Sequence, residues 1–262
     1  MTDTDELVGL PTAAAFELEV AGREQLTPGT IRLHLTSPDL AGFAHVAGQD
    51  LMLAVPHDDG TINRRYTIRR HDPGARTVDI DAVVHGDGPG ARWFASAASG
   101  ERIAAYGPRG KIVASPSAAW HLFVADESGL PATAAMLEAL PEGSTAVAVI
   151  EVADAREEQP IDLLDGATVT WVHRDGAPAG SLELLRGAVG AVVLADGPGH
   201  AYLSAELSVV NALRGDLESR GLHRERISPK AYWRRGAANA AHGEPLRDGG
   251  ARDGLGRTRG RG

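Results

Sequence analysis

Between Phe16 and Lys111 the chain runs as short stretches in which apolar and polar residues alternate: FELEV, TIRLHLT, DLMLAV, RRYTIR, TVDIDAVV and RIAAYG. A period of two marks strands with one buried and one wet face. Turn-rich segments such as TPGT, PHDDG and HDPGA separate them. Six strands of this kind predict an antiparallel six-stranded β-barrel. One helix interrupts the series, because GPGARWFASAA opens with Gly and Pro and sets Trp93, Phe94 and Ala97 at helical spacing.

From Trp120 the pattern changes. WHLFVA, STAVAVIEV, TVTWVHR, AVVLAD and AYLSA are near-continuous apolar runs, and LPATAAMLEAL and LSVVNALRGDLESRG between or after them read as helices. Apolar strands alternating with helices predict a parallel sheet covered on both faces. The expected organisation is a barrel domain over 14–114 and an α/β nucleotide-binding-like domain over 119–236, with the boundary near SPSAA. Residues 237–262 are rich in glycine and arginine without periodicity, which predicts a disordered tail.

Composition narrows the chemistry. With no cysteine, disulfides, thiolate metal sites, cysteine-ligated clusters and a cysteine nucleophile are excluded together. Scattered histidines form no His-x-x-x-His pair, so no protein-held metal is expected. A net charge of −9 speaks against nucleic acid or an anionic membrane as partner. No apolar run approaches the roughly 20 residues of a spanning helix, and the acidic start MTDTDELVGL is not a secretory signal. A cytoplasmic location follows as the expectation. Lys111 and Lys230 are the only lysines among 26 lysines and arginines, which singles both out.

Two segments of the barrel carry candidate chemistry. In Arg64-Arg65-Tyr66-Thr67-Ile68-Arg69 the strand period puts Arg64 and Tyr66 on one face and Thr67 and Arg69 on the other. An aromatic ring offers a stacking platform, and a guanidinium binds phosphate bidentately. The plain alternative is a tyrosine-bearing strand flanked by solvated arginines. Further on, Val83-Val84-His85-Gly86-Asp87-Gly88-Pro89-Gly90-Ala91-Arg92-Trp93 reads as strand, glycine-rich turn and helix start. Backbone N–H groups and the helix dipole at such a start favour an anionic phosphate. A simple glycine-rich connection is the alternative.

These segments, followed by Ala105-Tyr106-Gly107-Pro108-Arg109-Gly110, resemble the siderophore-interacting proteins, members of the ferredoxin-reductase-like flavoproteins. Asp126-Glu127-Ser128-Gly129-Leu130-Pro131-Ala132, Ile150–Asp154, Trp171–Arg174 and Ile227–Gly236 match further family segments, so the resemblance spans residues 14 to 236. It implies a flavin enzyme in which NADPH or NADH reduces FAD and FAD reduces a ferric siderophore. Ferredoxin is the alternative electron donor, and the chain is expected as a monomer or weak dimer. No acid–base catalytic residue is expected, because the flavin carries the chemistry.

Carried over residue by residue, the resemblance gives Tyr66 as the flavin platform and Thr67 near the reactive edge. Arg64 and the turn of Gly88, Pro89, Gly90 and Ala91 would take the pyrophosphate, with Val83 and His85 beside the ribose or adenine. In the second domain Asp126, Glu127, Ser128, Arg174 and Glu206 are cofactor candidates. Arg174, ending a strand, would meet the 2′-phosphate of NADPH, whereas Asp126–Ser128 equally suit helix capping. No Gly-x-Gly-x-x-Gly loop exists there, and Ala205 stands where the family carries glycine before its glutamate. Lys230, Arg234 and Arg69 are the substrate candidates, cations facing an anionic chelate, although Arg69 equally suits ordering the barrel strand. Where many family members carry a His-Val-Lys-Leu-like segment, this chain has Gly48-Gln49-Asp50-Leu51-Met52-Leu53. That difference keeps open a flavin reductase for another acceptor, and a flavin- or siderophore-binding protein without turnover.

Overall fold

The computed structural model describes residues 11–236 apart from 59 and 85; His85 and the expected tail therefore lie outside the described residues. The first sheet holds β1 (Ala14–Thr27), β2 (Thr30–Thr36), β3 (Asp50–His57), β4 (Gly60–Thr67), β5 (Arg70–Asp72), β6 (Thr77–Val83) and β7 (Arg102–Arg109). All pairings are antiparallel, in the order β4-β3-β7-β1-β2-β6-β5.

There are seven strands rather than six because RRYTIR does not run straight. The Ile68 N–H donates to the Gln49 carbonyl beside β3 (3.0 Å), whereas the Arg69 N–H donates to Asp79 of β6 (2.9 Å). The chain changes partner within two residues, so the two edges of the sheet, β4 and β5, are joined at this corner. The sheet curls round it with Ile68 fully buried. Leu33 and Leu35 of β2, Leu51 and Leu53 of β3, and Val78 and Ile80 of β6 point inward at alternate positions. The helix α1 (Pro89–Ser96) adds Trp93 and Phe94 to that interior. Burying each such side chain stabilises the fold by about 1.5–3 kcal/mol relative to exposure.

The second sheet is wholly parallel: β8 (Trp120–Ala125), β9 (Thr145–Val152), β10 (Ala167–His173), β11 (Gly199–Glu206) and β12 (Ile227–Trp233), in the order β10-β9-β8-β11-β12. Helices α2 (Leu130–Glu138), α3 (Leu182–Ala191) and α4 (Leu207–Ser219) cover it. One core lies under α3 and α4 and another under α2, which is why β8 and β11 are buried along their whole length. The run AVVLAD, expected as a strand, is instead the end of α3 and an irregular connector, with Val193 89% exposed. Five successive apolar residues carry no period of their own, so the run satisfies a strand pattern without finding a strand neighbour. Strand β12 and helix α3 were not foreseen.

The two sheets share buried contacts. Ala47, Ile112 and Ala114, which flank β3 and β7, pack on the core under α2. Gly48 has φ +97°, and a Cβ there would lie 2.5 Å from the Ile112 carbonyl oxygen, so only glycine permits this approach. Among the described residues no helix is long and apolar enough to cross a membrane.

Candidate functional site

The first half of the site is a cradle between β4 and α1. Strand β4 has a strand neighbour on one side only, leaving its other edge open. Pairing of Arg64 with Leu53 and of Tyr66 with Leu51 puts both side chains on the inward face, as the strand period required. The Tyr66 ring packs on Phe94 of α1 at 4.8 Å between centroids. Its hydroxyl lies over Gly90, where a Cβ would be 2.2 Å from the oxygen. Burial pushes the Tyr66 phenol up to about 12 although the Arg64 charge pulls it down, so it stays a neutral donor. Arg64 donates to the Asn63 carbonyl (2.9 Å), and Thr67 is buried at the foot of the strand.

Helix α1 begins at Pro89 with Gly88 as a cap that offers no side-chain acceptor, and its first turn has no acidic residue. The first N–H groups of a helix have no intrahelical acceptor. Gly90 and Ala91 thus present two backbone donors beside the inward-facing Arg64 strand, and Val83 at the end of β6 leads into the same turn. An aromatic platform, a guanidinium and a helix start kept bare by glycine are the donor set that FAD requires. The residues present fit it.

The second half lies at the carboxyl ends of the parallel strands, where the strand order reverses between β8 and β11. Ligands of open α/β sheets bind in that crevice. Asp126 is buried there, accepting from the N–H of Ser128 (2.9 Å) and Gly129 (3.3 Å) through Oδ1. Its Oδ2 accepts from the Glu206 N–H (3.1 Å) and the Trp233 indole (2.7 Å). Burial holds this carboxyl above its ordinary range, against the pull of the Ser128 and Trp233 hydrogen bonds. Ser128 is occupied in the same turn, its hydroxyl also donating to Asp126. Glu206 caps α4, accepting from the N–H groups of Ser208 (2.5 Å) and Val209 (3.2 Å). Gly129 needs its missing side chain, because a Cβ would lie 2.1 Å from the Ser204 carbonyl.

Arg174 does not stand open to a phosphate. Its guanidinium donates to both Glu127 oxygens (3.1 Å each) and to Glu151 (3.4 Å). Glu127 also accepts from the Ala153 N–H (2.6 Å). Glu151 is fully buried, and its Oε2 has no hydrogen-bond partner. Burial pushes this carboxyl up to about 7, opposed by Arg174 and reinforced by Asp126. Its folded value thus exceeds the ordinary 4.5, so its stability contribution is full below that value and lost as pH rises towards 7. Glu151→Gln should remove this slope, raising the melting temperature at pH 8 more than at pH 5; equal shifts in the two melts would show an ordinary carboxylate.

The substrate candidates occupy the junction between the sheets. Arg69 is buried, and its guanidinium pairs with both oxygens of Glu138 on α2 at 2.6 Å each. Both terminal nitrogens are thereby engaged, while Nε lies buried without a hydrogen-bond partner, and Arg69 joins the two halves. Lys230 is also buried, its Nζ 3.1 Å from Asp50 Oδ2 and 4.8 Å from the centre of the Tyr232 ring. Burial alone would lower its pKa, but Tyr232 and Asp50 hold it above the ordinary value. Asp50 also accepts two hydrogen bonds from Arg65, at 2.8 and 2.6 Å. Arg234 is exposed. No local signal in the sequence marks Asp50 and Glu138 as partners of these cations, or Glu151 and Trp233 as crevice residues.

Comparison with known proteins agrees with this layout. The family model described as siderophore-interacting FAD-binding domain matches residues 47–112, and that described as siderophore-interacting protein matches residues 118–236. A siderophore utilization protein from T. fusca superposes with a TM-score of 0.80 at 36% identity, covering 89% of this chain and 97% of that one. Ferric vibriobactin reductase ViuB of Vibrio cholerae is 28% identical over 251 residues, 87% of this chain and 92% of that protein. An uncharacterized protein of Mycobacterium tuberculosis is 36% identical over 184 residues, which make up 66% of this chain but only 65% of that relative's length. Solved structures of lower identity, among them a ferredoxin NADP+ reductase from Neisseria gonorrhoeae at 18%, share the two-part fold. The chain belongs to the siderophore-interacting protein family.

Proposed function

We propose that the protein is a flavin-dependent ferric-siderophore reductase. The observation that carries this reading is the cradle of Arg64, Tyr66 and Gly90, set beside a parallel sheet whose reversal point faces the same junction. FAD held by Arg64, Tyr66 and the start of α1 would supply two-electron chemistry towards a nicotinamide and one-electron chemistry towards a ferric ion. Fe(III) held by hard oxygen donors is released on reduction, because Fe(II) binds such donors far more weakly.

The chain's own residues position rather than react. Tyr66, neutral and fixed against Phe94, offers its ring as a platform and its hydroxyl as a donor. Arg64 and the α1 N-terminus neutralise the pyrophosphate, and Thr67 sits at the strand end nearest the junction. Asp50, Arg65 and Lys230 together leave one net positive charge there, which suits an anionic chelate. Ferredoxin is the alternative donor. A second reading, a flavin reductase for another acceptor, draws on Asp50, whose carboxylate offsets part of the cationic charge.

The purified protein should be yellow or take up added FAD with quenching of flavin fluorescence. Its flavin band should bleach anaerobically with NADH or NADPH and recover when a ferric chelate is added. A colourless protein that ignores FAD would sink the proposal, and recovery only with non-ferric acceptors would favour the second reading. Arg64→Ala should weaken FAD binding by about 1.5–3 kcal/mol, roughly 10- to 150-fold in Kd, the scale of a charge-assisted hydrogen bond. An unchanged Kd in the fluorescence titration would place the pyrophosphate elsewhere.

A further inference from the structure

NADPH differs from NADH only in a 2′-phosphate, which brings close to two further negative charges and requires cationic donors. We propose that this chain takes NADH in preference to NADPH. The inference rests on the reading of the second sheet as the dinucleotide half.

The carboxyl edge of that sheet is acidic. Asp126 and Glu127 follow β8, Glu151 lies at the end of β9, and Asp154 caps the short turn beyond it. Two arginines stand among them, and Arg234 and Arg235 follow β12 at the other side of the sheet, Arg235 donating to the Ala179 and Gly180 carbonyls. Arg174 has a side chain only 9% exposed and is divided between Glu127 and Glu151. To meet a 2′-phosphate it would have to abandon both, leaving buried carboxylates beside the new dianion; removing one partner of a buried pair is strongly unfavourable. Arg156 is exposed but folded back on Asp154 at 2.7 Å.

The acidic edge has a use in the other nucleotide. In doubly wound sheets a carboxylate at the end of the second strand accepts from the ribose 2′-hydroxyl, and it is this group that NADH leaves unphosphorylated. The end of β9, the second strand of this sheet in chain order, carries Glu151 and Asp154. Glu151 is fully buried and out of a ligand's reach, so Asp154, partly exposed at the rim beside Arg156, is the acceptor this edge offers to a hydroxyl, and the cluster of carboxylates repels a phosphate.

The FAD-loaded full-length protein is titrated calorimetrically with NAD+ and NADP+, and with 5′-AMP and 2′,5′-ADP as probes of the adenosine end alone. The expected result is at least tenfold tighter binding of NAD+ than NADP+, with the same order for the two probes. High salt should narrow the gap by screening the repulsion. Glu127→Gln, which loosens the hold on Arg174, should narrow it at least threefold. Equal or tighter binding of NADP+ by the wild type overturns the inference but leaves the reductase reading intact. Binding of neither dinucleotide overturns the inference and the dinucleotide reading of the second sheet together. If the variant fails to fold, the wild-type ratio still decides.

Discussion

Replacing Arg69 with alanine should lower stability by about 3–5 kcal/mol, the cost of removing one partner from a buried ion pair. Its side chain is 2% exposed, and it serves Glu138 bidentately while lying 3.8 Å from Asp81. Burial pushes the Glu138 carboxyl up, yet hydrogen bonds and charge from Arg69 hold it below the ordinary range. Because that value is depressed, the pair stabilises above the unfolded carboxylate pKa and loses its contribution as pH falls through the folded one. The deficit of Arg69→Ala should therefore be largest at neutral pH and shrink in acid. Thermal melts check both points, with a drop of roughly 6–20 °C expected near pH 7 for a chain of this size. A change within 2 °C of zero, on the same scale, would show that the pair holds nothing together.

Gly90→Ala should abolish FAD uptake under conditions that saturate the wild type. A Cβ at residue 90 would stand 2.2 Å from the Tyr66 hydroxyl oxygen, although 3.5 Å from the ring carbon that carries it. The ring has nowhere to retreat, since Phe94 lies behind it in the interior. It must swing outward into the space proposed for the flavin. The same numbers specify a rescue, because removing only the oxygen leaves an ordinary contact. Gly90→Ala combined with Tyr66→Phe should recover most of the binding, and Tyr66→Phe alone should cost little more than one hydrogen bond, about 1 kcal/mol. Fluorescence titration of the three variants decides it. Normal FAD binding by Gly90→Ala, or failure of the double variant to recover, would remove Tyr66 and Gly90 from the cradle.

Much of this arrangement was legible in the chain. Alternation in TIRLHLT and DLMLAV announced strands with one wet face, and solid apolar runs in WHLFVA and STAVAVIEV announced a sheet covered on both sides. The inward pairing of Arg64 and Tyr66 follows from strand geometry alone. What stayed hidden depended on partners distant in sequence. Nothing near Arg69 signals Glu138, and nothing near Lys230 signals Asp50, 180 residues away. An isolated cation reads as a ligand for something, and only the fold shows which partners within the protein it also has. Arg174 is a like case, since its charge is shared with Glu127 and Glu151, 47 and 23 residues away. The AVVLAD run misled because apolar composition without a period cannot tell a strand from a connector.

The corner at Ile68 and Arg69 bears on how well the two halves are aligned. Many two-part redox proteins leave the approach of donor to acceptor to a linker, and tolerate the slack that a linker brings. Here the residue after the sheet-closing Ile68 bolts the second half in place, three positions beyond Tyr66. The corner from Tyr66 to Arg69 therefore carries both the proposed flavin platform and an ion pair to the second half, beside the contacts of Lys230 with Asp50 and of Ile112 with the core under α2. An insertion or deletion between Tyr66 and Arg69 would turn one half relative to the other.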